Sequence, residues 1–214
     1  MTPTVLENVT YFNFLKPLVF ISDSANIPEI DLTFALSAIS NRTFNLMKST
    51  VNRIIQQYGI IRIHYSVIVF GSSPTTHFDF SRTFPNKEHL IREVSRLPKK
   101  SGDPDLAKAL ESVKNVYELR QVRPNAKKVL VVILDSKTVN RPEELDRNAV
   151  FLGDKGVLAI CVGVGSSIDL KELELITEEK RNVIQVGITK NPNELAEEIM
   201  AIILRSKFIF FTTS

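Results

Sequence analysis

Few residues of this 214-residue chain are of types that do chemistry on their own. The histidines are His64, His77 and His89, and the single cysteine is Cys161. General acid–base catalysis needs groups that converge on one point, whereas the histidines are predicted on two strands and a helix that share no loop. Cys161 lies within the apolar run Ala159–Val162, which favours a buried, inert thiol over a nucleophile. The sequence therefore predicts no catalytic centre.

A second candidate for chemistry is the glycine pair Gly163 and Gly165, which follows a predicted strand. In dinucleotide-binding proteins, glycines at a strand end let the backbone approach a pyrophosphate. The pair lacks the third glycine of that motif and comes late in the chain, and a tight turn at the strand end explains both residues. The chain also has no P-loop and no G-x-S-x-G elbow. An α/β enzyme or nucleotide-binding protein that uses Gly163 and Gly165 remains the alternative hypothesis.

Composition and charge exclude several classes of protein. Hydrophobic residues make up 43% and charged residues 24% of the chain, as in ordinary globular proteins and unlike disordered ones. The net charge is +3 and the basic residues form no block, so we expect no nucleic-acid partner. No apolar run is long enough to cross a bilayer, so we expect no membrane span. The length predicts one domain of good size.

Strand-like and helix-like segments alternate along the chain. Val129–Leu134 and Val157–Val164 are continuously apolar, which is typical of strands covered on both faces, whereas Thr76–Arg82 alternates like a half-exposed edge strand. The pattern predicts an α/β fold: a doubly wound, mostly parallel central sheet with one antiparallel edge strand and helices on both faces. The other predicted strands are Ile30–Leu36, His64–Phe70 and Val183–Val186. The predicted helices are Phe44–Ile55, Lys87–Leu97, one that begins at Asp103-Pro104, Pro142–Lys155, one capped by Asp169 and Glu172, and one that begins at Asn191-Pro192.

The order of these segments resembles that of von Willebrand factor A domains over residues 30–204. Three stretches carry the resemblance: Ile30–Leu36 with the following Phe44–Lys48, Lys128–Asp135 with its terminal aspartate, and Gly156–Gly165 with the following Leu170 and Glu172-Leu173. The chain is similar in style to A domains of secreted adhesive and matrix proteins, including those of invertebrate and particularly cnidarian matrices. The resemblance implies a Rossmann-like domain over residues 30–205, an N-terminal lead-in over 1–29 and a C-terminal tail over 206–214.

The resemblance also implies a metal-ion-dependent adhesion site at the carboxyl ends of the strands. In the family, a D-x-S-x-S loop, a threonine and a later aspartate hold Mg²⁺ and leave one position open for a partner's carboxylate. Here the three loop positions fall on Ser37, Ile39 and Asn41, the threonine position falls near Asp103-Pro104, and only Asp135 is kept. So few carboxylates predict a degenerate site with no tightly bound Mg²⁺ and at most weak binding. Its candidate ligands are Ser37, Asn41, Asp103 and Asp135.

A second alignment frame competes with this one, because Leu18–Asp23 also resembles the first strand with its aspartate. In that frame the two serine positions become Ala25 and Ile27, so both hydroxyls are missing there too. The second frame requires a long insertion before the helix at Phe44, and we therefore prefer the frame that ends at Ser37. Both frames predict a metal site that lacks most of its ligands.

The function implied by the resemblance is a non-enzymatic adhesion module that binds a matrix or cell-surface protein through the loops at the carboxyl ends of the strands. The family likeness favours an extracellular, secreted protein. The N-terminus is nevertheless a poor secretion signal, so an intracellular scaffold of the same fold stays open. Two sequons, at Asn8 and Asn41, predict glycosylation only if the chain is secreted. A glycan on Asn41 would cover the loop mouth.

Overall fold

The computed structural model describes residues 27–177 and 179–206. Three sequence-based interpretations lie wholly or mainly outside the described residues: the lead-in before residue 27 with its sequon at Asn8, the second frame at Leu18–Asp23 with its Ala25, and the tail after residue 206. The described part has the predicted class, a mixed and mostly parallel sheet between two layers of helices. Within it, no helix is both long and apolar enough to cross a membrane.

Within the described residues, six strands form the sheet, and polar residues follow the ends of two of them. The strands are β1 (Ile30–Ser37), β2 (Ile63–Phe70), β3 (Pro74–Phe78), β4 (Lys127–Leu134), β5 (Val157–Val164) and β6 (Val183–Val186). Their order is β3-β2-β1-β4-β5-β6, and only β3 runs antiparallel to its neighbour. Ser37 is in register with Leu134, so the residues that follow β1 and β4 meet at the carboxyl end of the sheet.

In the described part of the chain, six α-helices cover the two faces of the sheet, and a short 3-10 helix over Lys180–Asn182 precedes β6. The α-helices are α1 (Asn41–Tyr58), α2 (Lys87–Ser95), α3 (Leu106–Tyr117), α4 (Pro142–Asp154), α5 (Leu170–Ile176) and α6 (Pro192–Arg205). Helices α1, α2 and α6 share one apolar core, and α3, α4 and α5 share the other. In β4, Val131 packs into the first core and Val132 into the second. This two-sided cover explains why that strand is a continuous apolar run.

The edge strand is shorter than the sequence predicts. The alternating pattern predicts a strand over Thr76–Arg82, but β3 ends at Phe78. The carboxylate of Asp79 accepts the backbone N–H of Ser81 at 2.8 Å and closes a turn there. Phe80 is nevertheless buried, which is why the alternation continues beyond the strand.

The predicted start of α3 differs from the structure. The prediction that α3 begins at Asp103-Pro104 is wrong, because Asp105 caps the helix by accepting the N–H of Lys108 at 3.0 Å. Pro104 stays outside the helix, where its carbonyl accepts the N–H of Val139 at 2.9 Å. The local sequence offers both Asp103 and Asp105 as N-caps. The hydrogen bond between Pro104 and Val139, which lies in another loop, keeps Pro104 outside the helix.

The capping box predicted for α5 forms only in part. Asp169 caps the helix by accepting the N–H of Lys171 at 3.1 Å. Glu172 does not reach back to the cap: it accepts hydrogen bonds from the Thr138 hydroxyl and from the Asn140 amide, the latter at 2.7 Å. Glu172 therefore ties the β4–α4 loop to α5.

The amino end of the sheet contains a closed group of charges. Asp31 in β1 is 0% exposed. Arg123 donates to its carboxylate twice, from Nε at 2.8 Å and from the backbone N–H at 2.7 Å. The same guanidinium donates to the carbonyls of Ile30 and Arg62. The paired charge is thus held by several hydrogen bonds, as a buried ion pair requires.

Candidate functional site

The site forms where β1 and β4 end and α1 begins. Ser40 caps α1 by accepting the N–H of Thr43 at 3.0 Å, so the loop between Ser37 and the helix is short. Asp135, directly after β4, is half-buried. Its Oδ1 accepts the N–H of Ile39 at 2.8 Å, and its Oδ2 accepts the N–H of Ser40 at 3.5 Å. Asp135 therefore holds the β1–α1 loop in place with both oxygens.

The opposite wall of the site is residues 99–104, which the end of β2 fixes in position. A Cβ on Gly71 would lie 2.2 Å from the carbonyl oxygen of Ser101, so only glycine allows the two segments to approach this closely. The N–H of Ser72 donates to the Ser101 carbonyl at 3.3 Å, and the N–H of Asp105 donates to the Gly71 carbonyl at 2.9 Å. These backbone contacts fix the position of residues 99–104 relative to the end of β2.

A cleft of about 250 Å³ lies between residues 37–39 and residues 99–104. The ammonium of Lys99 crosses it and donates to the carbonyl oxygen of Ile39 at 2.5 Å. No carboxylate of the described residues lies within 4.0 Å of that ammonium. Ser37 lines the cleft at 2% exposure, and within residues 27–177 and 179–206 its hydroxyl has no hydrogen-bond partner.

The candidate ligands named from the sequence are only partly brought together. Ser37 and Asp103 line opposite walls of the cleft. Asp135 lies beside the β1–α1 loop, but its oxygens face backbone amides and it does not line the cleft. Asn41 is the first residue of α1; it is exposed and stands outside the cleft lining. The structure places the frame that ends at Ser37 on β1, the strand beside β4.

This donor set does not fit Mg²⁺. The ion requires near-octahedral oxygen ligands, whereas Asp135 is the only family position kept here and each of its oxygens already accepts a backbone N–H. Ile39 offers no side-chain oxygen where the family has a serine, and Pro104 offers none where it has a threonine. The Lys99 ammonium adds a positive charge beside the loop, which opposes a divalent cation. The described residues also contain no group of three or more His, Cys, Asp or Glu that could hold a metal.

Sequence reasoning missed the role of Lys99. The pair Lys99-Lys100 has the composition of an ordinary solvated loop, and nothing local indicates that Lys99 reaches a carbonyl 60 positions away in the chain. Gly71, at the end of a predicted strand, was the available signal. A glycine there is typical of a close backbone approach, and the backbone it approaches belongs to the Lys99 loop.

The catalytic and nucleotide-binding candidates have structural explanations. His64, His77 and His89 lie on β2, β3 and α2, apart from one another as predicted. Cys161 is buried in β5, and burial raises the pKa of its thiol.

The two glycines also have local explanations. A Cβ on Gly163 would lie 3.0 Å from the Ile168 side chain, so that glycine accommodates packing. Gly165 has φ +93° and donates its N–H to the Val186 carbonyl at 2.7 Å, as a turning residue does.

Comparison with known proteins identifies relatives of the sequence. A model of the von Willebrand factor type A domain matches residues 31–199. The chain is 24% identical to the human collagen alpha-5(VI) chain over 194 residues, which are 85% of this chain and 7% of that protein. It is 26% identical to mouse integrin alpha-M over 193 residues, 81% of this chain and 16% of that protein. The chain thus spans a small part of either relative.

Solved structures agree on the fold. Proximal thread matrix protein 1 from the mussel byssus superposes with a TM-score of 0.74 at 18% identity, covering 83% of this chain and 48% of that one. A second structure of that protein, described as having a zinc-occupied MIDAS motif, gives a TM-score of 0.71 at 18% identity, with 83% and 46% covered. Such identities show the shared fold alone. Since the family model matches most of the sequence, this chain belongs to the von Willebrand factor type A domain family.

Proposed function

We propose that this chain is a non-enzymatic, extracellular adhesion module that binds a protein partner through its loop face, without dependence on a tightly bound metal. The loop face comprises residues 37–41, 71–73, 99–105 and 135–140, at the carboxyl ends of the strands. Family membership and relatives in matrix and cell-surface proteins, collagen and integrin chains, support the adhesive and extracellular parts of the proposal.

The observation that carries the proposal is a pair of exposed apolar side chains, Ile39 and Val139, beside a polar cleft; we call this pair the apolar rim. Ile39 is 62% exposed on one wall of the cleft. Val139 is 59% exposed, and its N–H donates to the carbonyl of Pro104 on the other wall. Large apolar side chains at the border of a polar cleft are costly in water and favourable in a protein interface. The loop face is therefore the surface on which we place the partner.

The non-enzymatic part of the proposal is supported by the placement of the reactive residues. The three histidines lie on separate elements, and the cysteine thiol is buried. A reaction centre needs a nucleophile or base with a partner in reach of the same substrate atom. The polar groups of the cleft are hydroxyls, two ammonium groups and one carboxylate, which suit binding better than turnover.

The experiment is a binding assay with purified matrix proteins on a sensor surface, in buffer containing EDTA. Ile39→Asp places a charge in the apolar rim and should weaken binding at least about tenfold. Ile61→Asp is the matched control, because Ile61 is 89% exposed in the loop before β2, at the opposite end of the sheet. Equal binding by wild type and Ile39→Asp, or equal loss in both variants, would refute the loop face as the binding surface.

Secretion provides an independent test of the extracellular location. We expect a eukaryotic secretory host to export the chain, and mass spectrometry of the product then reports on Asn41. This residue is exposed at the start of α1, beside the cleft. A glycan there in every molecule would block the loop face and contradict the proposed binding surface. An unmodified Asn41 leaves that surface open.

A further inference from the structure

We propose that the ammonium of Lys99 replaces the metal ion as the cation of this site, and that it pairs directly with an aspartate or glutamate carboxylate of the partner. The inference rests on the proposed function and specifies its partner chemistry. It follows from the misfit between the cleft and Mg²⁺: the oxygens that would hold a divalent ion are missing or engaged, and a fixed positive charge stands beside them.

Lys99 has unused capacity to bind an anion. An ammonium has three N–H donors, and Lys99 uses one of them on the Ile39 carbonyl. Asp135 makes no ion pair with it: its carboxylate lies more than 4.0 Å away and accepts two backbone N–H groups of the β1–α1 loop. No other carboxylate of the described part of the chain comes within 4.0 Å. The charge therefore remains available to a partner.

The balance of charge in the cleft also favours an anion. Its lining contains the ammonium groups of Lys99 and Lys100 and a single carboxylate, that of Asp103. The field of Lys100 extends to the neighbouring edge strand, where it adds to burial in lowering the pKa of His77. Within the lining, an incoming carboxylate thus meets two positive charges and one negative charge, and the carboxylate of Asp135 stands outside the lining, behind the β1–α1 loop.

A second, uncharged group completes the site. Ser37 is almost fully buried, lines the cleft, and has a hydroxyl without a partner in the described residues. The hydroxyl oxygen is open to the cleft and is not enclosed by protein, so a ligand oxygen can accept its hydrogen in place of water. One carboxylate oxygen can pair with Lys99 while the other accepts from Ser37. The exposed Ile39 beside them favours an apolar residue next to the acidic one in the partner.

The wall that carries Lys99 is fixed before any partner arrives. The close contact of Gly71 with Ser101 and the hydrogen bonds of the β2 end hold residues 99–105 in position. The bond from the ammonium to the Ile39 carbonyl also orders the long side chain. Less conformational entropy is then lost on binding than for a free surface lysine.

The experiment is an NMR titration of the full chain in EDTA with two short peptides, N-acetyl-Leu-Glu-Leu-amide and N-acetyl-Leu-Gln-Leu-amide. We expect the glutamate peptide to bind saturably, with shifts confined to residues 37–41 and 99–104. The glutamine peptide should bind about tenfold more weakly, because it lacks the charge-assisted hydrogen bond. Lys99→Gln should weaken the glutamate peptide by a similar factor, whereas Lys99→Arg should retain most of the affinity. Lys155→Gln, an exposed lysine at the amino end of β5, is the matched control and should bind as wild type does.

Several outcomes would overturn the inference. These are equal binding of the two peptides, no binding of either, unchanged binding by Lys99→Gln, and binding that appears only when Mg²⁺ replaces EDTA. A sulfated polysaccharide that binds while the glutamate peptide does not would likewise exclude a protein carboxylate as the ligand. If Ile39→Asp abolishes matrix-protein binding while Lys99→Gln leaves it unchanged, the loop face stands and only the role of Lys99 is wrong. If Ile39→Asp has no effect, the proposed function itself fails.

Discussion

The charged side chains at the two ends of the sheet differ in whether they have partners within the chain. At the amino end, Arg123 donates to the carboxylate of Asp31, and its Nη2 donates to two backbone carbonyls. At the carboxyl end, Asp135 is engaged by backbone amides, and Lys99 has one hydrogen bond and no acid beside it among the described residues. A charge whose partners are internal serves stability. A charge that lacks them is available for recognition.

The largest expected effect comes from breaking the ion pair between Asp31 and Arg123. Arg123→Ala leaves the carboxylate of Asp31 buried without its partner, and should lower the free energy of unfolding by about 3–5 kcal/mol. Urea denaturation measures the change. Arg42→Ala, an exposed arginine in the first turn of α1, should change stability by less than about 0.5 kcal/mol. A loss of under about 1 kcal/mol in Arg123→Ala would show that the pair is not the structural element described above.

The next test separates two glycines, one at each end of the sheet. Gly71→Ala forces a Cβ against the Ser101 carbonyl, and we expect it to destabilise the fold by about 1–3 kcal/mol and to weaken peptide binding in the cleft. Gly59→Ala has free space around its Cβ, but φ 69° and ψ −161° suit only glycine, so it should cost about 1–3 kcal/mol through backbone strain and leave binding intact. Thermal unfolding and the NMR titration measure the two effects. Reduced binding in Gly59→Ala would mean that the glycine effect is global.

A smaller effect is expected at Asp135. Asp135→Ala removes the acceptor of two loop N–H groups and should lower stability by about 1 kcal/mol, as the loss of a helix cap does. Calorimetric titration of Mg²⁺ or Mn²⁺ into wild type should give no saturable heat. A saturable metal heat that disappears in Asp135→Ala would contradict the misfit argued for this cleft.

The smallest effect concerns pH at the amino end. Burial, and then the charge of Arg123, lower the pKa of His64 below its ordinary value of 6.5. The unfolded chain therefore takes up this proton at a higher pH than the folded chain, and stability should decline as the pH falls below 6.5. His64→Gln should make that decline shallower in urea titrations between about pH 7 and pH 5. An unchanged slope would assign the decline to other groups, of which His77 is one whose pKa shifts in the same direction.

The sheet was predictable from the sequence because its strands are covered on both faces. Val157–Val164 matches β5 at both ends, since burial on each side demands an apolar residue at every position. Helix α1 begins three residues before its predicted start, because Asn41 to Thr43 are polar and carry no apolar period. The class of the fold follows from this alternation alone.

The candidate site was less predictable, because its contacts join segments far apart in the chain. The sequence places Ser37 and Asp135 at strand ends, and the parallel register then brings those ends together. It does not show that Lys99 reaches Ile39, or that Glu172 bonds to Thr138 and not to its own cap. Such contacts depend on how loops that are distant in the sequence lie relative to one another, and no local sequence pattern encodes that.

The enclosed thiol of Cys161 has a practical consequence. Because the chain has one cysteine and it lies in the middle of the sheet with a raised pKa, alkylating reagents should not modify the native protein. Its rate of labelling then reports how often the sheet opens. A new cysteine beside the loop face but outside the cleft lining, such as Arg42→Cys, would accept a fluorophore at one position only, so that binding of a partner could be followed by fluorescence.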